Sequence, residues 1–173
     1  MGRPGAVTFM GNPLTLVGEA VQVGQAAPPF TAHYFDGSLQ TLSLEDLKGK
    51  PTLLSVVPSL DTGVCQTQTK KFNEELAALG DQVNAVTISL DLPFAQNRFC
   101  GDAEISNMKT VSDYQNREFG TNWGMLIDEL KLLARGVFVL DKDGNVVHAE
   151  VVSEVTNEPD YGKAMDALKG QLG

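Results

Sequence analysis

Cysteine and histidine are scarce in this chain of 173 residues, which contains two of each. Cys65, Cys100, His33 and His148 show none of the close paired spacing that protein metal sites usually have. Two cysteines are also too few for the disulfide framework that holds small secreted domains together. The sequence therefore predicts no metal and no cofactor, and it leaves the cysteines available for chemistry or for burial in a core.

Positive charge is scarce as well, with 13 lysines and arginines against 22 aspartates and glutamates and a formal net charge of −9. This balance argues against nucleic acid and anionic membranes as partners. No apolar run approaches the roughly 20 residues that span a bilayer. The first residues also lack the basic-then-apolar pattern of a signal peptide. We therefore expect a cytoplasmic protein in a reducing compartment.

Length and composition are those of one globular domain, with 42% hydrophobic and 20% charged residues. We expect a single domain over residues 1–173. Apolar segments at 6–10 and 14–17 flank Gly11-Asn12-Pro13, a pattern typical of a β-hairpin. The sequence thus predicts an N-terminal hairpin extension within residues 1–18.

Cys65 lies at a predicted junction between a strand and a helix. Residues 52–58 read Thr-Leu-Leu-Ser-Val-Val-Pro, a short β-branched run that suits a strand buried on both faces. After Cys65, apolar residues recur at helical spacing as far as Gly80, which is the expected C-cap. Cys65 is therefore predicted to lie in the first turn of a helix.

The remaining chain alternates between strand and helix patterns, which predicts an α/β protein with helices covering a mixed sheet. The short helix over 91–101 places Cys100 at a helix end. The other predicted elements are a hairpin around Asp36-Gly37, a helical turn at 44–47, strands at 83–90, 108–111, 136–140 and 145–152, a turn of helix followed by loop at 116–123, and a helix at 161–172.

A sulfur in a first helical turn lies beside unpaired backbone N–H groups and the positive end of the helix dipole, which favour the nucleophilic thiolate. Thr62 has a hydroxyl that can hydrogen-bond such a thiolate, and Pro58 lacks an N–H and helps to shield the sulfur from water. A different interpretation stays open at this point. Free cysteine is often an inert core residue, and threonine is a preferred N-cap.

Three strings carry a family resemblance. The pattern Pro58-x-x-x-Thr62-x-x-Cys65 resembles the active-site motif of the peroxiredoxins. The strings Ser59-Leu-Asp-Thr-Gly-Val-Cys65, Pro93-Phe-Ala-Gln-Asn-Arg-Phe-Cys100 and Thr156-Asn-Glu-Pro-Asp-Tyr161 resemble the bacterial thiol peroxidase branch. They occur in the right order over nearly the whole chain. The resemblance implies a thioredoxin-like fold: a central mixed sheet flanked by helices, with the N-terminal hairpin added.

The resemblance also implies an activity, the reduction of hydroperoxides. Cys65 would be the peroxidatic cysteine that becomes a sulfenic acid, and Cys100 would resolve it as an intrachain disulfide. The family's active-site arginine falls on Arg135, which would otherwise be read as a charge capping a strand end. A charged guanidinium fork suits this chemistry, because negative charge moves from sulfur to the leaving oxygen as the O–O bond breaks.

A disulfide requires Cα atoms about 4.4–6.8 Å apart, and we expect two cysteines on different elements to lie farther apart than this while both elements stay folded. We therefore expect the segments carrying Cys65 and Cys100 to unwind after oxidation. The family further implies recycling by thioredoxin, a homodimer, and a preference for organic over hydrogen peroxide.

Three apolar residues near the motifs, Leu60, Val64 and Phe94, are candidates for lining a groove for alkyl or lipid hydroperoxides, although such residues are more often core. Trp123 stands where the family leads us to expect tyrosine, so any contact at that position is in doubt.

Two alternatives remain at this stage. A thiol–disulfide oxidoreductase on the same fold would need Cys-x-x-Cys, but position 62 is threonine. The second alternative is a non-catalytic thioredoxin-like binding module in which the cysteine is incidental.

Overall fold

The structure, a computed structural model, describes residues 2–172. Within these residues no helix has the length and apolar character needed to cross a membrane. The helices are α1 (Gly63–Leu76), α2 (Pro93–Asp102), α3 (Glu118–Asn122) and α4 (Tyr161–Gly170). The strands are β1 (Gly2–Phe9), β2 (Asn12–Val17), β3 (Thr31–Phe35), β4 (Leu39–Ser43), β5 (Thr52–Val56), β6 (Asn84–Ser89), β7 (Lys109–Ser112), β8 (Leu126–Ile127), β9 (Leu132–Leu133), β10 (Gly136–Leu140) and β11 (Val146–Val151).

The central sheet has seven strands in the order β11-β10-β5-β6-β7-β3-β4. The neighbours β5, β6 and β7 run parallel, and the other pairs are antiparallel. The predicted mixed sheet is therefore confirmed. Strand β5 is central in the sheet, and every one of its residues is buried. The loop that follows it therefore begins at a fixed point, the carboxyl end of β5.

Hydrophobic cores lie on both faces of this sheet. Successive side chains of β10 point to opposite faces of the sheet. Phe138 and Leu140 therefore belong to one core, and Val137 and Val139 belong to the other. The second core is covered by α1 and α4, which contribute Phe72, Leu76, Tyr161, Ala164, Met165 and Leu168. Helix α1 is thus anchored by its apolar face, which holds its first turn in place.

The N-terminal strands β1 and β2 form an antiparallel hairpin, in agreement with the pattern in the sequence. Its turn consists of Met10 and Gly11, with φ values of 51° and 82°. Strand β2 also pairs with β8, which pairs with β9, in a second sheet of four strands. The two-residue β8 is too short to show a pattern, and the sequence did not predict it.

Helix α1 ends earlier than predicted. The α-helix ends at Leu76, and Gly80 instead begins a short 3₁₀ turn, Gly80–Gln82. The intervening residues tighten into i to i−3 hydrogen bonds, from the Ala77 N–H to Glu74 and from the Leu79 N–H to Leu76. Gly80 still adopts a positive φ of 51°, but it lies after the helix and does not cap it.

Asp113 is a buried carboxylate beside α3. It accepts hydrogen bonds from the backbone N–H groups of Phe119 (2.9 Å) and Gly120 (2.8 Å). Burial nevertheless dominates and raises the pKa of Asp113 from 3.8 to about 6. Because the folded chain holds this proton more tightly than the unfolded chain does, stability contributed by Asp113 is lost as the pH rises from about 4 to about 6.

We therefore expect the free energy of unfolding of the wild type, relative to Asp113→Asn, to fall by an amount on the order of 3 kcal/mol between pH 4 and pH 7. Urea denaturation of both proteins across this range measures the difference and cancels the other titrating groups. A difference that stays constant with pH would contradict the assignment.

Candidate active site

Cys65 lies where the sequence predicts it, in the first turn of a helix that follows a buried strand. It is the third residue of α1, and its exposed fraction is 0%. The side chain packs with Val57, Leu60 and Phe99. The N–H groups of the first helical turn have no partner within the helix, so the sulfur lies near the positive end of the helix dipole.

Arg135, between β9 and β10, brings its charge to this sulfur. Its Nη2 lies 3.4 Å from Cys65 Sγ, its Nη1 donates to Gln68 Oε1 at 3.1 Å, and its Nε donates to the Val155 carbonyl at 2.8 Å. Arg135 is 2% exposed, and these three partners take the place of water around its guanidinium. The guanidinium therefore places a fixed positive charge and an N–H donor beside the sulfur.

Gln68 is a site residue that the sequence reasoning missed. It lies one turn after Cys65 and is fully buried, with its Nε2 donating to Ser55 Oγ at 2.8 Å. Its oxygen is thereby directed at Arg135. The signal was present in the sequence, because Gln68, Phe72 and Leu76 share the buried face of α1 at a spacing of four residues. A polar residue on an apolar face needs a buried partner.

The hydroxyl of Thr62, which was expected to be able to hydrogen-bond the Cys65 sulfur, has a different partner. It donates to the Ser59 carbonyl at 3.0 Å, and no hydrogen bond from it to the sulfur occurs among residues 2–172. Thr62 is the N-cap residue of α1 and is exposed. Pro58 is buried in the loop before it. Both residues line a cavity that also contains Arg135.

This cavity has a volume of about 190 Å³. It is lined by Pro58, Thr62 and Val64 from the loop and the start of α1, together with Arg135. Its walls are apolar and come from distant parts of the chain: Phe9, Ile127, Leu130, Leu132 and Val155. The combination of one buried cation and apolar walls suits a small molecule with a polar reactive end and an apolar body.

The structure separates the three predicted groove residues. Val64 lines the cavity. Leu60 is 3% exposed and packs directly on Cys65 in the core, so it belongs to the support of the sulfur. Phe94 does not line the cavity: it is 54% exposed and packs on Phe35, at 5.4 Å between ring centroids. The reason is that α2 packs on β3, away from the walls of the cavity.

Trp123, the departure from the family pattern, is a core residue. It is 1% exposed, stacks on Phe119, and donates from its indole N–H to the Pro28 carbonyl at 2.9 Å. It does not line the cavity.

Cys100 is half-buried in α2 and has a different environment. Its sulfur lies 3.2 Å from Thr110 Oγ1, at an open cleft of about 630 Å³. Burial raises the pKa of the Cys100 thiol, and the Thr110 hydrogen bond offsets part of this effect. Both cysteines are free. Phe99 contacts the Cys65 cluster, and because successive helix residues are about 100° apart, the neighbouring Cys100 points elsewhere.

Asp91 connects the segments that carry the two cysteines, and the sequence reasoning did not single it out. Its carboxylate accepts from Ser59 Oγ (2.9 Å) and the Leu60 N–H (2.8 Å), both in the loop before Cys65. It also accepts from Ser89 Oγ (2.7 Å), which in turn accepts from Gln96 in α2. The folded states of the loop and of α2 therefore share one hydrogen-bond network.

A mixed sheet of this topology, with a buried thiol at a helix start and an arginine fork beside it, defines the peroxiredoxin class of the thioredoxin-like fold. Comparison with known proteins agrees. Residues 22–165 match the family model described as Redoxin. A thiol peroxidase of Bacillus subtilis (strain 168) is 56% identical over 163 residues, covering 94% of this chain and 96% of that protein.

A thiol peroxidase of Halalkalibacterium halodurans is 52% identical over 167 residues, covering 96% of this chain and 99% of that protein. Among solved structures, a peroxiredoxin-like protein from Aquifex aeolicus superimposes with a TM-score of 0.87 at 38% identity, over 98% of this chain and 99% of that one. The chain belongs to the Redoxin family, in its bacterial thiol peroxidase branch.

Proposed function

We propose that this enzyme reduces hydroperoxides with an apolar organic part, and also hydrogen peroxide, through Cys65 as the peroxidatic cysteine. The observation that carries the proposal is the contact of 3.4 Å between the Arg135 guanidinium and the Cys65 sulfur beside an apolar cavity. An anion kept beside a fixed cation, with space for a small substrate, is what nucleophilic attack on a peroxide requires.

In the first step, the Cys65 thiolate attacks the terminal oxygen of the hydroperoxide. A new S–O bond forms as the O–O bond breaks, and the alkoxide takes a proton and leaves as an alcohol. Cys65 becomes a sulfenic acid, so sulfur is oxidised by two electrons and the peroxide is reduced by two. Arg135 has a donor directed at the sulfur, where it can follow the charge toward the leaving oxygen without reorganisation.

In the second step, the Cys100 thiol attacks the Cys65 sulfenic acid, and a disulfide forms with release of water. The orientation of Cys100 toward Thr110 supports the idea that both segments must rearrange first. The Asp91 network that joins them supports a coupled opening, since loss of its bonds releases the loop and α2 together.

A dithiol of the thioredoxin type then completes the cycle by exchange, in which it is oxidised to a disulfide and both cysteines return to thiols. We also propose a homodimer and a cytoplasmic location. The thioredoxin-type reductant and the homodimer depend on the family resemblance. The predicted single domain over residues 1–173 is part of the same proposal.

Cys100→Ala tests the proposed resolution. We expect one equivalent of peroxide per chain to be consumed at the wild-type rate, followed by a stall in the presence of thioredoxin, thioredoxin reductase and NADPH. Stopped-flow peroxide consumption measures the burst, and Ser106→Ala, at the cleft beside Cys100, is a matched control. Sustained turnover of Cys100→Ala with thioredoxin would show that Cys100 is structural.

The same assay separates the rival interpretations. Reduction of insulin disulfides without peroxide consumption would favour a thiol–disulfide oxidoreductase, and neither activity would favour a binding module. Full burial of Cys65 argues against the first of these, because a protein disulfide must reach the attacking sulfur.

A further inference from the structure

We infer that Glu154 is a positioning residue for substrate selection: it holds the tip of the N-terminal hairpin over the cavity, so that Phe9 becomes a wall of the site. This inference depends on the proposed hydroperoxide activity of that cavity. Glu154 itself does not line the cavity.

The Glu154 carboxylate binds the hairpin tip through three donors. Oε1 accepts from Thr8 Oγ1 (2.9 Å) and from the Gly11 N–H (2.9 Å), and Oε2 accepts from the Met10 N–H (3.2 Å). Met10 and Gly11 form the turn, and Met10 is a non-glycine residue with positive φ. Such a turn is costly in isolation, and the carboxylate offsets the cost by accepting from both of its N–H groups.

The same carboxylate is fixed on its other side by Thr156, whose N–H (3.0 Å) and hydroxyl (2.7 Å) both donate to Oε2. These bonds to Thr156 and Gly11 lower the pKa of Glu154 to about 2, so the group is a carboxylate at neutral pH. Two backbone hydrogen bonds also join the hairpin to the segment that carries Glu154. The Thr8 N–H donates to the Ser153 carbonyl (2.7 Å), and the Val155 N–H donates to the Thr8 carbonyl (2.8 Å).

The consequence for the site follows from the neighbours of these residues. Phe9 lies between Thr8 and Met10, both of which Glu154 holds, and its side chain lines the cavity although it is 39% exposed. An exposed aromatic ring keeps one orientation only if its backbone is fixed. The wall that it forms can contact the apolar body of an organic hydroperoxide, whereas hydrogen peroxide has no apolar body with which to make this contact.

Glu154→Gln is a sharp test because the amide cannot replace the carboxylate. Each carboxylate oxygen accepts from at least one backbone N–H. Whichever oxygen the amide NH₂ of glutamine replaces, it therefore faces a backbone N–H and cannot accept its hydrogen bond. The matched control is Asp141→Asn. Asp141 accepts from the Asp143 and Asn145 N–H groups at the turn between β10 and β11, and it does not line the cavity.

The measurement is the second-order rate constant for oxidation of reduced enzyme in stopped flow, which needs no reductant. With cumene hydroperoxide we expect Glu154→Gln to react about tenfold more slowly than wild type, and with hydrogen peroxide to stay within about twofold. Phe9→Ala should reproduce the change in this ratio, and it serves as the test if Glu154→Gln does not fold. Asp141→Asn should match wild type with both oxidants.

Two outcomes would overturn the inference alone. One is an unchanged ratio in Glu154→Gln and Phe9→Ala with activity intact, which leaves the proposed peroxidase function standing. Another is an equal loss with both oxidants, which would mean that Glu154 acts through Val155 on Arg135 rather than on selection. Inactivity of the wild type toward both peroxides would instead refute the proposed function itself.

Discussion

Cys65→Ser is expected to consume peroxide more than about 10⁴-fold more slowly than wild type, because a serine hydroxyl at neutral pH has neither the ionised fraction nor the nucleophilicity of a thiolate. The substitution is nearly isosteric, so the packing against Val57, Leu60 and Phe99 is retained. Peroxide consumption under single-turnover conditions measures the effect directly.

Cys100→Ser is the matched control for Cys65→Ser, since it also replaces a sulfur by oxygen but should retain one oxidation per chain. Circular dichroism of both variants checks that the fold is kept. Retention of substantial peroxidase activity by Cys65→Ser would place the chemistry elsewhere in the protein and remove the basis of the proposal.

Arg135→Lys is expected to lower the rate constant for oxidation of Cys65 by about 10²- to 10³-fold, the usual effect of losing one fixed donor to developing charge. A lysine keeps the positive charge, but its single ammonium group cannot reach Val155, Gln68 and the Cys65 sulfur together in the geometry of the guanidinium fork. The variant therefore tests geometry rather than charge alone.

The rate of alkylation by iodoacetamide at neutral pH, measured in a Cys100→Ala background, reports the thiolate separately from the peroxide step. We expect Arg135→Lys to slow alkylation as well as oxidation. Arg117→Lys, an exchange at an exposed arginine, is the control and should leave both rates unchanged. Wild-type values for both rates in Arg135→Lys would show that Arg135 does not activate the sulfur.

Local elements were predictable from the sequence because their signals lie within a few residues. The buried strand β5, the helix that carries Cys65 in its first turn and the N-terminal hairpin are each encoded by a pattern of apolar residues and turn residues over a short window. The end of α1 was placed at Gly80 rather than Leu76, because a glycine after a helical pattern does not reveal that the chain has already tightened into a 3₁₀ turn.

Parts of the site were predictable only through the family resemblance. Nothing near Arg135 in the chain shows that its guanidinium reaches Cys65, since the pair is separated by 70 positions. The groove residues were predicted from nearness to the motifs, and of the three only Val64 lines the cavity, whereas Leu60 and Phe94 do not. Gln68 and Asp91 were missed because their roles are defined by partners on other elements.

The sequence by itself determined most of the strands and helices, the place of Cys65 in the first turn of its helix, and that the chain carries little positive charge to attract polyanions. The tertiary structure alone decided what surrounds the sulfur. Hydrogen bonds between Thr8 and Glu154 join positions 146 residues apart, and such contacts form only when the whole chain has collapsed. Periodicity records which face of an element is buried, but it carries no information about which distant element will cover that face.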